Sequence, residues 1–428
     1  MNGKSALRAL TRDGILLFGT RIVRLFAYGF LSVVLVLYLA ELGLSETEIG
    51  LLLTLTLIGD TAISLGITTH ADRIGRRKML LLGTGLMIVA GLVFMVTKDF
   101  ALLIIAAIIG VISPSGNEVG PFLSIEQAAL AQIVPNEQRT RIFAWYSLVG
   151  SFATALGALA GGALAEILQK SGSTPLESYR AIVMGYAVLG AALALLFTQL
   201  SPAVEVLRTT SLPQLSGAPR FLGLHRSRGV VFKLSALFAL DAFGGGFIIQ
   251  SIVAYWFHVR FGVDPAILGG IFFGANVLAG LSALAAAEIA ARIGLINTMV
   301  FTHIPSNLLI MLVPLMPTLP LAALVLLLRF SISQMDVPTR QSYTMAVVSP
   351  DERSAAAGVT NIIRSVGASL SPTLTGLLLS SPALLGLPFF LAGGLKIVYD
   401  MMLYLNFRMV KPPEERKSPK RITRTSDP

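Results

Sequence analysis

Thirteen Asp, Glu, Lys or Arg side chains lie inside the long apolar stretches of this 428-residue chain, three or more residues from either end. Seven are basic (Arg21, Arg24, Lys233, Arg329, Arg340, Arg364, Lys396) and six acidic (Asp60, Glu118, Glu126, Asp241, Asp336, Asp400). At hydrocarbon depth one such group costs at least about 2.5–3.5 kcal/mol, so each needs a partner or a task. Arg24 and Asp241 each fall roughly 15 Å into an apolar stretch at 1.5 Å per residue. Facing each other across a central cavity, they would form a substrate-sensitive ion pair; the alternative is a static pair between helices. Asp60 sits mid-stretch. Glu118 follows Ser113-Pro114-Ser115-Gly116-Asn117, where proline and glycine predict a helix break that exposes backbone to a cavity. Desolvation favours the protonated form of a carboxylate, so Asp60 and Glu118 are proton-coupling candidates. A plain hydrogen bond to a Ser, Thr or Arg is the alternative for both.

Asp336 and Arg340 share a helix face at i,i+4, with Pro338 between them. Asp336, Asn361 and Arg364 join Arg24, Asn117 and Asp241 as substrate-cavity candidates. Arg21, Lys233, Glu126 and Arg340 lie near stretch ends, where they are expected to snorkel or pair at the membrane surface. Lys396 and Asp400, also i,i+4, are expected to satisfy each other, and His303 to fill the kink before Pro305.

The elements that hold these groups are membrane spans. The chain is 54% hydrophobic and 13% charged, with mean hydropathy +0.76; soluble domains carry about 25% charged residues. Twelve stretches are long enough to cross a bilayer: 14–40, 48–70, 79–97, 101–132, 142–168, 179–200, 230–257, 265–290, 296–316, 319–347, 354–382 and 387–410. The first is too long for a signal-peptide core and lacks a convincing cleavage site, so it is expected to remain as a span. With both termini cytoplasmic, the inner segments hold 22 of the 33 basic residues and the outer ones four: Lys98, Lys170, Arg180 and Arg260. That is the positive-inside asymmetry, and it accounts for the net charge of +10 without nucleic acid. The basic tail marks topology, with contact to anionic lipid heads as a second reading.

The polar stretch 201–229 divides the chain into an N-terminal six-helix half (1–200) and a C-terminal one (230–410), with a basic tail at 411–428. Short matches recur in order at nearly constant spacing. Gln127 and Arg139 align with Gln341 and Arg353 at 214 residues, as does Gly162 with Gly376. Arg24 and Gly29-Phe30 align with Asp241 and Gly246-Phe247 at 217, and Arg73-Ile74-Gly75 with Arg292-Ile293-Gly294 at 219. Parallel halves of this kind place a carrier's substrate site at their interface.

Between the second and third spans the chain reads Ala71-Asp72-Arg73-Ile74-Gly75-Arg76-Arg77-Lys78. It resembles the helix 2–3 loop of the major facilitator superfamily, Gly-x-Leu-Ala-Asp-Arg-x-Gly-Arg-Arg/Lys, except that Thr68 and His70 replace the first Gly and the Leu. With twelve spans in two halves, the resemblance covers the whole chain. It implies an all-α polytopic fold and alternating access, with Asp72, Arg73, Gly75 and Arg76 forming a cytoplasmic gate and Glu126 as their acidic partner by position. The alternative is that these bases only anchor topology. Gly157-Ala158-Leu159-Ala160-Gly161-Gly162 is similar to the family's antiporter signature, but Ala158 stands in place of its proline and Ala153 in place of an earlier glycine. Pro372 occupies the repeat-equivalent position. A packing face explains those small residues equally well.

No phosphate-binding Gly-rich loop with Lys-Ser/Thr occurs, the four histidines show no metal-ligand spacing, and cysteine is absent. No cofactor, metal or enzymatic activity is expected. The expectation is a secondary active transporter for a small organic solute, working by proton-coupled export, as a monomer without a nucleic-acid partner. Proton-coupled uptake is the alternative, and an uncoupled sensor or lipid-moving protein a further one. Short loops and the lack of any Asn-x-Ser/Thr sequon suit a bacterial inner membrane.

Overall fold

The computed structural model describes residues 11–205, 224–349 and 352–410. Most of the polar linker and the whole of the tail at 411–428 therefore lie outside the described residues.

Sixteen α-helices among the described residues build twelve spans. In the N-terminal half these are α1 (Arg12–Ser32) with α2 (Leu35–Glu41), α3 (Glu46–Ile74), α4 (Arg76–Val96), α5 (Phe100–Ile109) with α6 (Phe122–Ile133), α7 (Asn136–Lys170) and α8 (Pro175–Thr198). The C-terminal half repeats the order as α9 (Arg228–Gly246) with α10 (Gln250–Phe261), α11 (Pro265–Ile293), α12 (Leu295–Leu312), α13 (Leu319–Phe330) with α14 (Asp336–Val347), α15 (Arg353–Leu379) and α16 (Leu387–Phe407). Ten described helical segments are long and apolar enough to cross a membrane. The two remaining spans, the fourth and tenth, fail that length test because each is broken in the middle.

Local chemistry sets the boundaries. Ser45 with Glu48 and Thr174 with Glu177 form capping boxes at the starts of α3 and α8. Gly75 and Gly294 adopt φ of +122° and +87° between paired helices, a region costly for any residue with a Cβ. Four spans are discontinuous: the first, fourth, seventh and tenth. They are related by the repeat, and they supply most of the buried charge.

Large apolar side chains face outward along the helices, among them Leu195 at 66%, Val188 at 58% and Leu405 at 64% exposure. So much exposed apolar surface suits lipid rather than water.

The two halves meet at the end away from the chain termini. A Cβ on Gly162 would come within 2.2 Å of the Pro265 carbonyl oxygen, and one on Gly376 within 2.2 Å of that of Glu46. These contacts join α7 to α11 and α15 to α3, and each is the repeat image of the other. Thr54 and Thr373 hydrogen bond at 2.8 Å, Tyr255 donates to Glu46 at 2.9 Å, and Glu166 accepts from the Ala266 N–H at 3.0 Å. Every hydrogen bond between described residues of the two halves lies at this far end or at the head of the central cavity. Among described residues, none ties the halves together at the terminus-bearing end.

Candidate functional site: a charged central cavity

A cavity of about 560 Å³ lies between the halves. The break in the fourth span, from Gly110 to Pro121, forms part of its wall. Its freed backbone groups find side-chain partners, as non-helical backbone at membrane depth requires. Tyr186 donates to the Val111 carbonyl at 2.5 Å, Tyr28 to that of Val119 at 3.2 Å, and Ser113 to that of Asn117 at 2.7 Å. Asp60 accepts from the Gly120 N–H at 2.6 Å and pairs with Ser64 at 3.5 Å. Among the described residues it has no cationic partner. It sits behind the break, outside the cavity lining.

Glu118 does line the cavity, where Arg21 meets it at 2.8 Å and Arg24 at 2.8 Å. Behind it Arg24 is fully buried, and its two terminal nitrogens reach both oxygens of Glu126 at 2.7 Å. This fork-to-fork geometry is the strong form of a charged hydrogen bond. Thr20 donates to Glu126 at 2.7 Å, and Tyr146 donates to it as well. Two guanidiniums and two carboxylates thus close into a network within one half.

In the other half Asp241 is the hub. Lys396 lies 2.5 Å from it, Arg340 3.2 Å, His303 3.9 Å and Arg364 4.0 Å. Arg340 also bonds Asp336 at 2.8 Å, the expected i,i+4 pair. Asp400 accepts from His303 and Asn307, each at 2.9 Å.

Several expectations fail on geometry. Arg24 and Asp241 do not face each other; each is taken up within its own half. Their repeat-equivalent partners show why. Glu126 and Arg340 are 214 residues apart, so Arg24–Glu126 and Asp241–Arg340 are one ion pair between a half's first and fourth spans, with the signs exchanged. Arg21, Glu126 and Arg340 are buried rather than snorkelling. Lys396 and Asp400 turn to separate partners, because Lys396 points to α9 and Asp400 to α12. His303 is a hydrogen-bonding link instead of a kink filler.

Glu126 makes no described contact with the loop at 72–77. There Arg76 is buried, binding Asp72 at 2.8 Å, Gln132 at 3.0 Å and the Val204 carbonyl at 3.1 Å. The acid serving that loop is Glu205, which accepts from the Arg76 and Arg77 N–H groups at 2.7 and 3.1 Å and so caps α4. Asp72 and Arg73 are exposed. Asn117, Asp336 and Arg364 line the cavity, whereas Asn361 is exposed outside it.

Sequence reasoning missed the polar head of the cavity. Gln250 donates to Ser32 at 2.8 Å and accepts from Asn276 at 3.0 Å, while the Ser251 N–H reaches the Pro114 carbonyl at 3.1 Å. Neutral amides in apolar stretches lack the energetic signature of a charge; for Gln250, its place at the break of the seventh span is the signal that could have found it.

The sequence profile described as Major Facilitator Superfamily matches residues 17–372. The chain belongs to the major facilitator superfamily. A full-length relative is the uncharacterized membrane protein YJR124C of Saccharomyces cerevisiae, 32% identical over 94% of this chain and 95% of its own. The quinolone resistance protein NorA of Staphylococcus aureus is 29% identical over 32% of this chain and 34% of its own. Among solved structures, the nucleoside transporter NupG superposes with TM-score 0.70 at 15% identity over 92% of this chain and 100% of that one. A D-xylose-proton symporter gives 0.65 at 15% identity over 91% and 97%. As a superfamily member the chain is a multi-pass membrane transporter and not an enzyme.

Proposed function

We propose that the protein is a secondary active carrier that exports a small organic solute in exchange for protons. The observation that carries this reading is the cavity itself: charged, lined by both halves, and sealed at one end by helix seams related by the repeat. A rocking motion that breaks those seams and closes the opposite end would expose the same site to the other side. With both termini in the cytoplasm, as the basic residues argue, the structure is the inward-facing state. Asp72, Arg73 and Arg76 would then form the latch that engages when the inner end closes, which agrees with the exposure of Asp72 and Arg73 here.

Asp60 is the stronger proton carrier of the two acids proposed. It is held by two hydrogen bonds and no cation, and it backs the broken span whose other face lines the cavity. Glu118, clamped by two arginines, fits a role in which substrate or motion first releases one of them. The partial likeness to NorA and the glycines of α7 favour export. Ala158, standing where the antiporter pattern has proline, keeps proton-coupled uptake as the second reading. A monomer suffices, because the cavity is complete within one chain. Short loops fit a bacterial inner membrane.

The test is proteoliposome flux with labelled nucleosides, pentoses and quinolones under an imposed proton gradient. Accumulation of one class driven by that gradient, and lost in Asp60→Asn, is expected; the sign of the gradient that works gives the direction. Flux that only follows the solute's own gradient would remove proton coupling.

A further inference from the structure

The charges on the C-terminal side of the cavity do not balance. Asp336 and Asp241 share Arg340, and Asp241 also holds Lys396 at 2.5 Å. Asp400 is bound by His303 and Asn307. Once these pairs are formed, two guanidiniums remain. Among the described residues Arg364 has only the 4.0 Å approach to Asp241, on a carboxylate already shared. Arg329 forms no ion pair among the described residues and rests against the ring of Phe330 at 4.8 Å. The Nε of each is buried without a hydrogen-bond partner. Both side chains line the cavity. On the N-terminal side, by contrast, Arg21 and Arg24 are matched by Glu118 and Glu126.

Two guanidiniums on the wall of one cavity, each with an Nε that no described residue accepts from, suit a carboxylate, sulfonate or phosphate, the anions that guanidinium binds best. Neighbouring wall is apolar at Phe272, Ile248 and Ile249 and carries neutral donors at Gln334 and Asn276. We propose that the substrate is an amphipathic organic anion. Its charged group is bound by Arg329 and Arg364, and its apolar body lies towards the broken seventh span. This rests on the carrier reading above and specifies its substrate class.

The two guanidiniums come from α13 and α15, the tenth and eleventh spans. Any movement of one span against the other would change the distance between them. The anion would therefore be held most tightly in the state where both arginines converge.

Three probes of nearly equal shape separate the possibilities: naphthalene-2-sulfonate, neutral naphthalene-2-sulfonamide and the cationic 2-naphthyltrimethylammonium. Calorimetric titration of the full-length detergent-solubilised protein should show the sulfonate binding tightest. Arg364→Gln and Arg329→Gln should each weaken it by about 10- to 100-fold, the effect of losing one charge-assisted hydrogen bond, while affinity for the sulfonamide changes little. Arg364→Lys and Arg329→Lys, which keep the charge, should retain part of that affinity and guard against simple misfolding of the glutamine variants. Tighter binding of the cation, no sulfonate binding by folded protein at millimolar probe, or equal sulfonate affinity in all four variants would overturn the assignment. Failure of the carrier reading has a separate signature: sulfonate that binds through these arginines but is never moved across proteoliposomes leaves the anion site standing and removes transport.

Discussion

The two halves place the same ion pair between their first and fourth spans and then build different electrostatics around it. In the N-terminal half Arg24 and Glu126 close a balanced network with Arg21 and Glu118, reinforced by Thr20 and Tyr146. The sign-exchanged counterpart, Asp241 with Arg340, has four cationic or protonatable groups within 4.0 Å of one carboxylate. Duplicated helix geometry thus preserves where charge sits, not which charge it is. A saturated network suits a rigid wall, and an unsaturated one suits a site that changes with its occupant.

The sharpest way to break the comparison is Glu126→Gln. It strands Arg24, fully buried, with only Glu118, and should cost about 3–5 kcal/mol, as removing one partner of a buried pair does. Thermal unfolding in detergent and recovered yield report it. The double charge exchange Arg24→Glu with Glu126→Arg should recover part of that loss, as the reversed pair in the other half implies; a neutral single variant would refute the network.

The seam symmetry gives the next effect. Gly162→Ala and Gly376→Ala each press a methyl onto a backbone oxygen 2.2 Å away, so closure at the far end should weaken by about 1–3 kcal/mol in both. The chain has no cysteine, so a Thr54→Cys, Thr373→Cys pair can report closure by disulfide yield. Both alanine variants should lower that yield several-fold and by similar amounts; a change in only one would show that the seams are not equivalent.

Asp336→Asn should destabilise less than Glu126→Gln, by about 1–3 kcal/mol, because Arg340 keeps Asp241 at 3.2 Å. Comparing the two unfolding temperatures tests the claim that the C-terminal network is the looser one.

The smallest effect concerns Glu352, in the loop before α15. Burial pushes its carboxyl up, but hydrogen bonds from the Ser227 side chain and from the His225, Ser227 and Arg226 backbone N–H groups outweigh this and bring it down to about 2. With its folded value below the roughly 4.3 of a free glutamate, it stabilises fully above about pH 5 and loses that contribution as pH falls towards 2. Unfolding temperatures between pH 7 and pH 3 should show Glu352→Gln least different from the parent at the acid end. A constant difference across that range would exclude the linkage.

Much of this was legible from residues in order. Apolar length gave the twelve spans, and Pro114 with Gly116 marked the broken fourth. The offset of 214 that aligns Gln127 with Gln341 also aligns Glu126 with Arg340, so the sign-exchanged pair was present in the numbering. What misled was proximity along the chain. Lys396 and Asp400 sit one turn apart, yet through-space partners on α9 and α12 claim them. Glu126 lies at the height expected of a gate residue, but its helix turns it towards Arg24, leaving the loop to Glu205.

The sequence by itself determined the lipid-facing architecture and the duplicated halves, because these follow from local length, hydropathy and spacing. Tertiary structure alone decided which carboxylate each arginine holds and which end of the molecule is closed. Among the described residues it also left Arg329 and Arg364 without a dedicated anion. Those outcomes depend on how each helix is rotated about its axis and packed against a neighbour hundreds of residues away, which periodicity does not fix.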